Sequence, residues 1–174
     1  NNKENLIPSI LLFRQHTNET LDLFYDNSYI TSLEDKIEIL KKLNIQRIFL
    51  IKFDSKFMEM GPVTFVEDFL MSTLKAKKVV VGEDYTFAKG GKSDVSFLKK
   101  YEGKDFEVII TDEVKFHNEK ISSSTIRKDI KEGKFDLVNK SLGRAYKIKG
   151  EVVNGYKRGS KMGFPTANID LSFS

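Results

Sequence analysis

This sequence predicts an α/β fold built on a parallel sheet, and three observations carry that prediction. Short apolar runs recur at Ser9 to Phe13, Arg47 to Ile51 and Lys78 to Val81, each the length of a buried strand. Segments with helical spacing separate them. Strict alternation of apolar and polar residues does not begin until Tyr146, so the architecture is expected to change there.

The first interval opens on Thr31-Ser32-Leu33-Glu34, a capping box, and Leu33, Ile37 and Leu40 then give one apolar helical face. In the second, Pro62 suits a first helical turn and Phe65, Val66, Phe69, Leu70 and Leu74 continue the helix. A further helix is expected from Ser93 to Lys100 and a fourth strand from Phe106 to Thr111. Strands alternating with helices in this way imply a parallel sheet with helices on its faces. Ligands of such sheets bind beyond the carboxyl ends of the strands.

After Lys120, the cluster Ser122 to Thr125 opens a helix reaching Glu132, which Gly133 stops. Phe135 to Leu142 forms one more helix. From Tyr146 onward, Tyr146, Ile148 and Val152 alternate with Lys147, Lys149 and Glu151 as a strand with one wet face. The domain boundary is placed near Leu142 to Arg144, giving domains 1–142 and 143–174.

With 174 residues the chain is about the size of one ordinary domain, and 14 Phe with 6 Tyr describe a soluble, globular composition. The absence of cysteine excludes disulfides, thiolate metal sites and cysteine nucleophiles. No apolar run suits a membrane helix, the start lacks a signal-peptide pattern, and a cytoplasmic location is expected. The net charge of +4 resides in residues 142–174, where six Lys and Arg face only Glu151 and Asp170. A basic tail suits a polyanion.

Three constellations offer chemistry. In Asn154 to Asn168, Gly155, Gly159 and Gly163 allow backbone N–H groups to approach phosphate oxygens, and Lys157, Arg158 and Lys161 supply charge. Thr166 and Asn168 project to one side and can offer neutral oxygens to Mg²⁺. Glycine and charge alone are also those of a solvated hairpin. In Lys120-Ile121-Ser122-Ser123-Ser124-Thr125-Ile126-Arg127, hydroxyls and N–H groups at a helix N-terminus form an anion site to which Arg127 adds a fork of donors. An N-cap with a solvated Arg127 has the same spacing. In Gly82-Glu83-Asp84-Tyr85-Thr86-Phe87-Ala88, the glycine allows a tight strand exit and Tyr85 and Phe87 can wall a flat ring, or simply anchor the loop.

Family resemblance weights these alternatives. Gly163-Phe164-Pro165-Thr166-Ala167-Asn168 resembles the signature of riboflavin kinase, and Leu142-Gly143-Arg144-Ala145-Tyr146 followed by Gly150-Glu151-Val152-Val153 resembles that family's opening strand. Ser122 to Arg127 is similar to the Ile-Ser-Ser-Thr/Ser-x-Ile-Arg motif of the nucleotidyltransferases that make FAD. Gly82 to Ala88 resembles their Gly-x-Asn/Asp-Phe-x-Phe-Gly string, with Ala88 in place of the last glycine. Phe13-Arg14-Gln15-His16-Thr17 occupies the slot of Phe-Asp-Pro-His-Pro and keeps only Phe13 and His16. The chain therefore resembles the bacterial bifunctional riboflavin kinase and FAD synthetase (FMN adenylyltransferase) enzymes.

The resemblance implies a Rossmann-like nucleotidyltransferase domain followed by the start of a riboflavin-kinase β-barrel. It implies phosphorylation of riboflavin to FMN and adenylylation of FMN to FAD, with ATP and Mg²⁺, small-molecule substrates riboflavin, FMN and ATP, and no nucleic-acid, membrane or obligatory protein partner. By resemblance Lys120, Ser123, Ser124, Thr125 and Arg127 bind ATP phosphates, and Gly82, Asp84, Tyr85 and Phe87 lie at the flavin and nucleotide. Gly155, Gly159, Lys161, Gly163, Thr166 and Asn168 bind ATP in the kinase, Thr166 and Asn168 also holding the metal. The family's two-histidine glycine loop and its kinase glutamate base are not found, so the chain reads as truncated at both ends and inactive by itself. Competing readings are another nucleotidyltransferase of the superfamily, a flavin-binding module without catalysis, and nonspecific binding of nucleic acid by the basic tail.

Overall fold

The computed structural model describes residues 5–14, 29–103, 105–116, 119–153, 163–164 and 167–170. Strand β1 (Ser9–Phe13) pairs in parallel with β2 (Arg47–Ile51), Ser9 opposite Arg47 and Phe13 opposite Ile51. Strand β3 (Lys78–Gly82) pairs in parallel with β6 (Glu107–Thr111), from Lys78 opposite Glu107 to Gly82 opposite Thr111. All four strands stand where apolar runs placed them. Among the described residues they form two separate pairs, not the single sheet expected, and Val80 at the middle of β3 is 61% exposed.

Helix α1 (Leu33–Lys42) starts one residue later than the predicted capping box implies. The Asp35 N–H donates to Ser32 Oγ at 3.1 Å, so Ser32 and Asp35 do the work assigned to Thr31 and Glu34. Helix α2 (Ser55–Met58) follows β2, capped by Asp54, whose carboxylate accepts from the Phe57 N–H at 3.0 Å.

Helix α3 begins as Pro62–Thr64 and widens into a π-helical stretch, Phe65–Thr73. Its closing bond runs five residues back, from Leu74 N–H to the Phe69 carbonyl at 2.9 Å. Phe65, Val66 and Leu70 are its buried residues, a grouping that α-helical spacing also accommodates. They form the core with Phe87, Val95, Leu98, Phe106 and Val108. Phe65 lies 5.0 Å from Phe87 and 6.2 Å from the partly buried Phe57 between ring centroids, so ring contacts run through an otherwise aliphatic core.

Strands β4 (Thr86–Phe87) and β5 (Ser93–Asp94) form a short antiparallel pair. The helix expected from Ser93 is shorter as a result: Ser93 and Asp94 extend, Asp94 caps, and α4 is Val95–Lys99. Strands β7 (Lys115–Phe116) and β8 (Glu119–Lys120) form a hairpin.

Helix α5 (Ser123–Lys131) ends at Glu132, and helix α6 (Phe135–Leu142) ends on Gly143, whose φ of 63° is the left-handed conformation that glycine accommodates. Ile126 and Val138 are buried on these two helices. The strand expected from Tyr146 is confined to β9 (Glu151–Val153), antiparallel to β10 (Asn168–Asp170). A Cβ on Gly150 would run into the Asp170 carbonyl oxygen, so only glycine allows this approach. The barrel expected after residue 143 is not seen among the described residues, where this stretch forms one antiparallel pair. By contacts the chain divides into two compact units, Asn1–Asn27 with Ile37–Lys120 and Ser28–Lys36 with Ile121–Ser174.

Candidate functional site

In the first unit, the predicted residues gather past the carboxyl ends of β3 and β6. The Tyr85 N–H donates to the Gly82 carbonyl at 3.2 Å, closing the turn at the strand exit. Asp84 at the apex accepts from Lys120 Nζ at 2.6 Å. Lys120 also forms an ion pair with Glu113, so its ammonium lies between two carboxylates. These hydrogen bonds hold the Lys120 ammonium well above the ordinary lysine range and, reciprocally, hold the Asp84 carboxyl below its own. Glu113 was not anticipated from the sequence. Its signal is positional: it stands two residues beyond Thr111, as Asp84 stands two beyond Gly82.

Tyr85 is half-buried and stacks on Phe87 at 5.8 Å and 14°. Burial pushes its phenol up. Phe87 is only 5% exposed and belongs to the core, where its ring supports Tyr85 from behind. Of the two aromatic walls expected from the sequence, Tyr85 is therefore the one with exposed surface.

A cavity of about 530 Å³ lies at the opposite, amino ends of β3 and β6, lined in part by Lys77, Lys78, Asp105 and Glu107. Its two lysines are paired, Lys77 with Asp105 at 3.4 Å and Lys78 with Glu107 at 2.7 Å, and Glu102 adds a further negative charge to the lining. Paired lysines and an excess carboxylate give it no preference for a polyanion.

In the second unit, Ser122 caps α5 by accepting from the Thr125 N–H at 3.1 Å, and the two hydroxyls lie 2.9 Å apart. Ser123, Ser124 and Thr125 are exposed. The first-turn N–H groups of Ser123 and Ser124 have no acceptor within the helix and carry its positive end. Arg127 is half-buried one turn in, and its charge adds to burial in pushing the Lys36 ammonium below its ordinary range. Two cations held this close favour an anion.

In the kinase-like stretch, Gly163 has a φ of 82° and Asn168 opens β10 opposite Val153. Gly155, Gly159, Lys161 and Thr166 lie outside the described residues, as do His16 and its neighbours Gln15 and Thr17. The Asn168 side chain is exposed and its amide oxygen is a hard donor of the kind Mg²⁺ takes. Among the described residues no three His, Cys, Asp or Glu side chains come together to hold a metal ion. No described helix is long and apolar enough to cross a membrane.

Parallel strand pairs joined through helices, with polar residues collected past their carboxyl ends, define a mixed α/β protein with the layout of a nucleotidyltransferase domain. The chain belongs to the FAD synthetase family, whose model matches residues 1–125, and the riboflavin kinase model matches residues 142–174. The bifunctional riboflavin kinase/FMN adenylyltransferase of Listeria monocytogenes is 38% identical over 98% of this chain and 54% of its own length. Those of Buchnera aphidicola from Schizaphis graminum and of Bacillus subtilis are 33% and 31% identical over 97% and 99% of the chain. The chain thus spans about half the length of the curated relatives it matches. A solved structure described as a macrolide-efflux protein from Streptococcus pneumoniae superposes with a TM-score of 0.83 at 31% identity, covering 94% of this chain and 53% of the other.

Proposed function

We propose that the protein to which this chain belongs makes FAD in two ATP-dependent steps, phosphorylating riboflavin to FMN and adenylylating FMN. The observation that carries this reading is the exposed, Ser122-capped start of α5 with Arg127 one turn in, in a chain matched first by FAD synthetase and then by riboflavin kinase. We place the change of domain at residues 142 to 144.

In adenylyl transfer, a phosphate oxygen of FMN attacks the α-phosphorus of ATP and pyrophosphate leaves. No side chain forms a covalent intermediate, so catalysis consists of alignment and charge stabilisation. The first-turn N–H groups of Ser123 and Ser124 and the Arg127 guanidinium face the ATP phosphates in this reading. Tyr85 lies against the flavin, backed by Phe87. In the kinase step the ribityl hydroxyl takes the γ-phosphoryl group, with Gly155, Gly159, Lys161 and Gly163 over the phosphates. Thr166 and Asn168 would hold a Mg²⁺ ion accompanying ATP, which would neutralise phosphate charge. A cytoplasmic location, where ATP is at hand, fits this reading.

Incubating the full-length protein with riboflavin and Mg-ATP, and separating the flavins by chromatography, tests the reading. FMN should appear first and FAD after it. Retention of riboflavin without turnover would make the protein a binding module instead, and adenylylation of a nucleotide other than FMN would reassign it within the superfamily.

A further inference from the structure

Gly82 and Thr111 are the last partners in the β3·β6 register. Asp84 and Glu113 stand equally far beyond them, so the parallel pairing delivers two carboxylates at one end of strands that in a sheet run ~4.8 Å apart. Like charges at such spacing repel. Lys120 resolves the conflict by pairing with both, reaching Asp84 at 2.6 Å. It arrives from β8, held in the hairpin opposite Lys115. One ammonium thereby ties the exits of two strands to a hairpin.

The three side chains are unequal. Glu113 is 22% exposed, Lys120 43% and Asp84 67%. The enclosed carboxylate is the anchor, and the exposed one is what the anchor steadies. An ammonium has three donors, so Lys120 can serve both carboxylates and still direct one N–H outward to a phosphate.

We propose that Glu113 is a positioning residue of the adenylyl-transfer site, holding Lys120 against Asp84 and so fixing the turn from Gly82 to Tyr85 on which the flavin nucleotide rests. The proposal depends on the function given above. Glu113 touches no reacting atom; it acts through Lys120 alone. Removing its charge should therefore loosen the turn and weaken capture of FMN, while leaving the phosphorylation of riboflavin unaffected.

The test measures both activities in the full-length protein carrying Glu113→Gln, Glu113→Asp, Lys120→Met and the double variant Glu113→Gln/Lys120→Met. For Glu113→Gln the KM for FMN in adenylylation should rise about tenfold, the scale of one lost charge-assisted hydrogen bond, with kcat changing far less. Glu113→Asp should restore most of the loss. Glu113→Gln should add nothing further once Lys120 is methionine. A wild-type KM in Glu113→Gln, or a full additional loss in the double variant, overturns the proposal while FAD formation by the wild type upholds the function. A fall of both activities together would mark general destabilisation and equally overturns the positioning role. Wild-type protein that forms no FAD overturns the functional reading and this proposal with it.

Discussion

Arg144 donates from Nη2 to Thr31 Oγ1 at 2.7 Å, joining residues 113 positions apart in the chain. The segment it begins has no ladder hydrogen bonds before β9 and is held by side chains instead. Lys149 pairs with Asp35, the Tyr146 N–H donates to Asn139 Oδ1 at 2.7 Å, and the Tyr146 ring stacks on Phe135 at 6.1 Å. Arg144→Ala should lower stability by about 1–2 kcal/mol, seen as a lower urea midpoint. Arg144→Lys should recover only part of it, because a point charge does not replace the fork that reaches Thr31 and the Ala145 carbonyl together. An unchanged midpoint in Arg144→Ala would remove this contact from the account.

Ala88 has φ 64° and ψ −174°, a region that only glycine occupies without strain. It stands where the resembling motif ends in glycine. Ala88→Gly should relieve about 1–3 kcal/mol of strain and return about 0.5–1 kcal/mol of that to chain entropy, for a net gain near 1 kcal/mol. Thermal unfolding compares the two proteins directly. A lower melting temperature in Ala88→Gly would mean that the alanine methyl contributes more by packing than its backbone costs.

Burial raises the Tyr85 phenol, and Tyr101 is raised too, by burial and by Glu67. A phenol raised on folding favours its neutral form, so its contribution to stability is complete below about pH 10 and is lost as pH climbs through the folded value. Tyrosinate absorbance should therefore show a late component, and the difference between wild type and Tyr85→Phe should isolate it. A difference curve centred at or below pH 10 would place the Tyr85 hydroxyl in water.

Arg127→Lys keeps the charge and removes the fork. With Lys36 already nearby, positive charge alone is not what this site lacks. On the proposed function, the KM for ATP in adenylylation should rise about tenfold while the kinase activity keeps its own, because a lysine cannot make the bidentate phosphate contact proposed for Arg127. Equal KM values in the two proteins would assign Arg127 to the fold rather than to ATP.

The ends of α5 and α6 were legible because they follow from local chemistry. Gly143 ends α6 where predicted, since left-handed closure depends on its own backbone. The cap of α1 was misplaced by one residue because Thr31 and Ser32 are both competent acceptors, and Thr31 is engaged by Arg144. The π-helical widening after Thr64 was not legible, because the apolar pattern from Phe65 to Leu74 fits an α-helix nearly as well. The helix expected at Ser93 lost two residues to pairing with Thr86 and Phe87, a contact that helical spacing cannot report.

The order of residues was enough to locate four parallel strands, the capped start of α5 and the motifs of two families, since each depends on neighbours a few positions away. Which side of the core Phe87 would occupy, and that Lys120 would hold Asp84 and Glu113 at once, was decided only when β3 and β6 came into register. Charges 36 positions apart have no local signature. Their meeting is fixed by the alignment of the strands that carry them, a property of the folded chain as a whole.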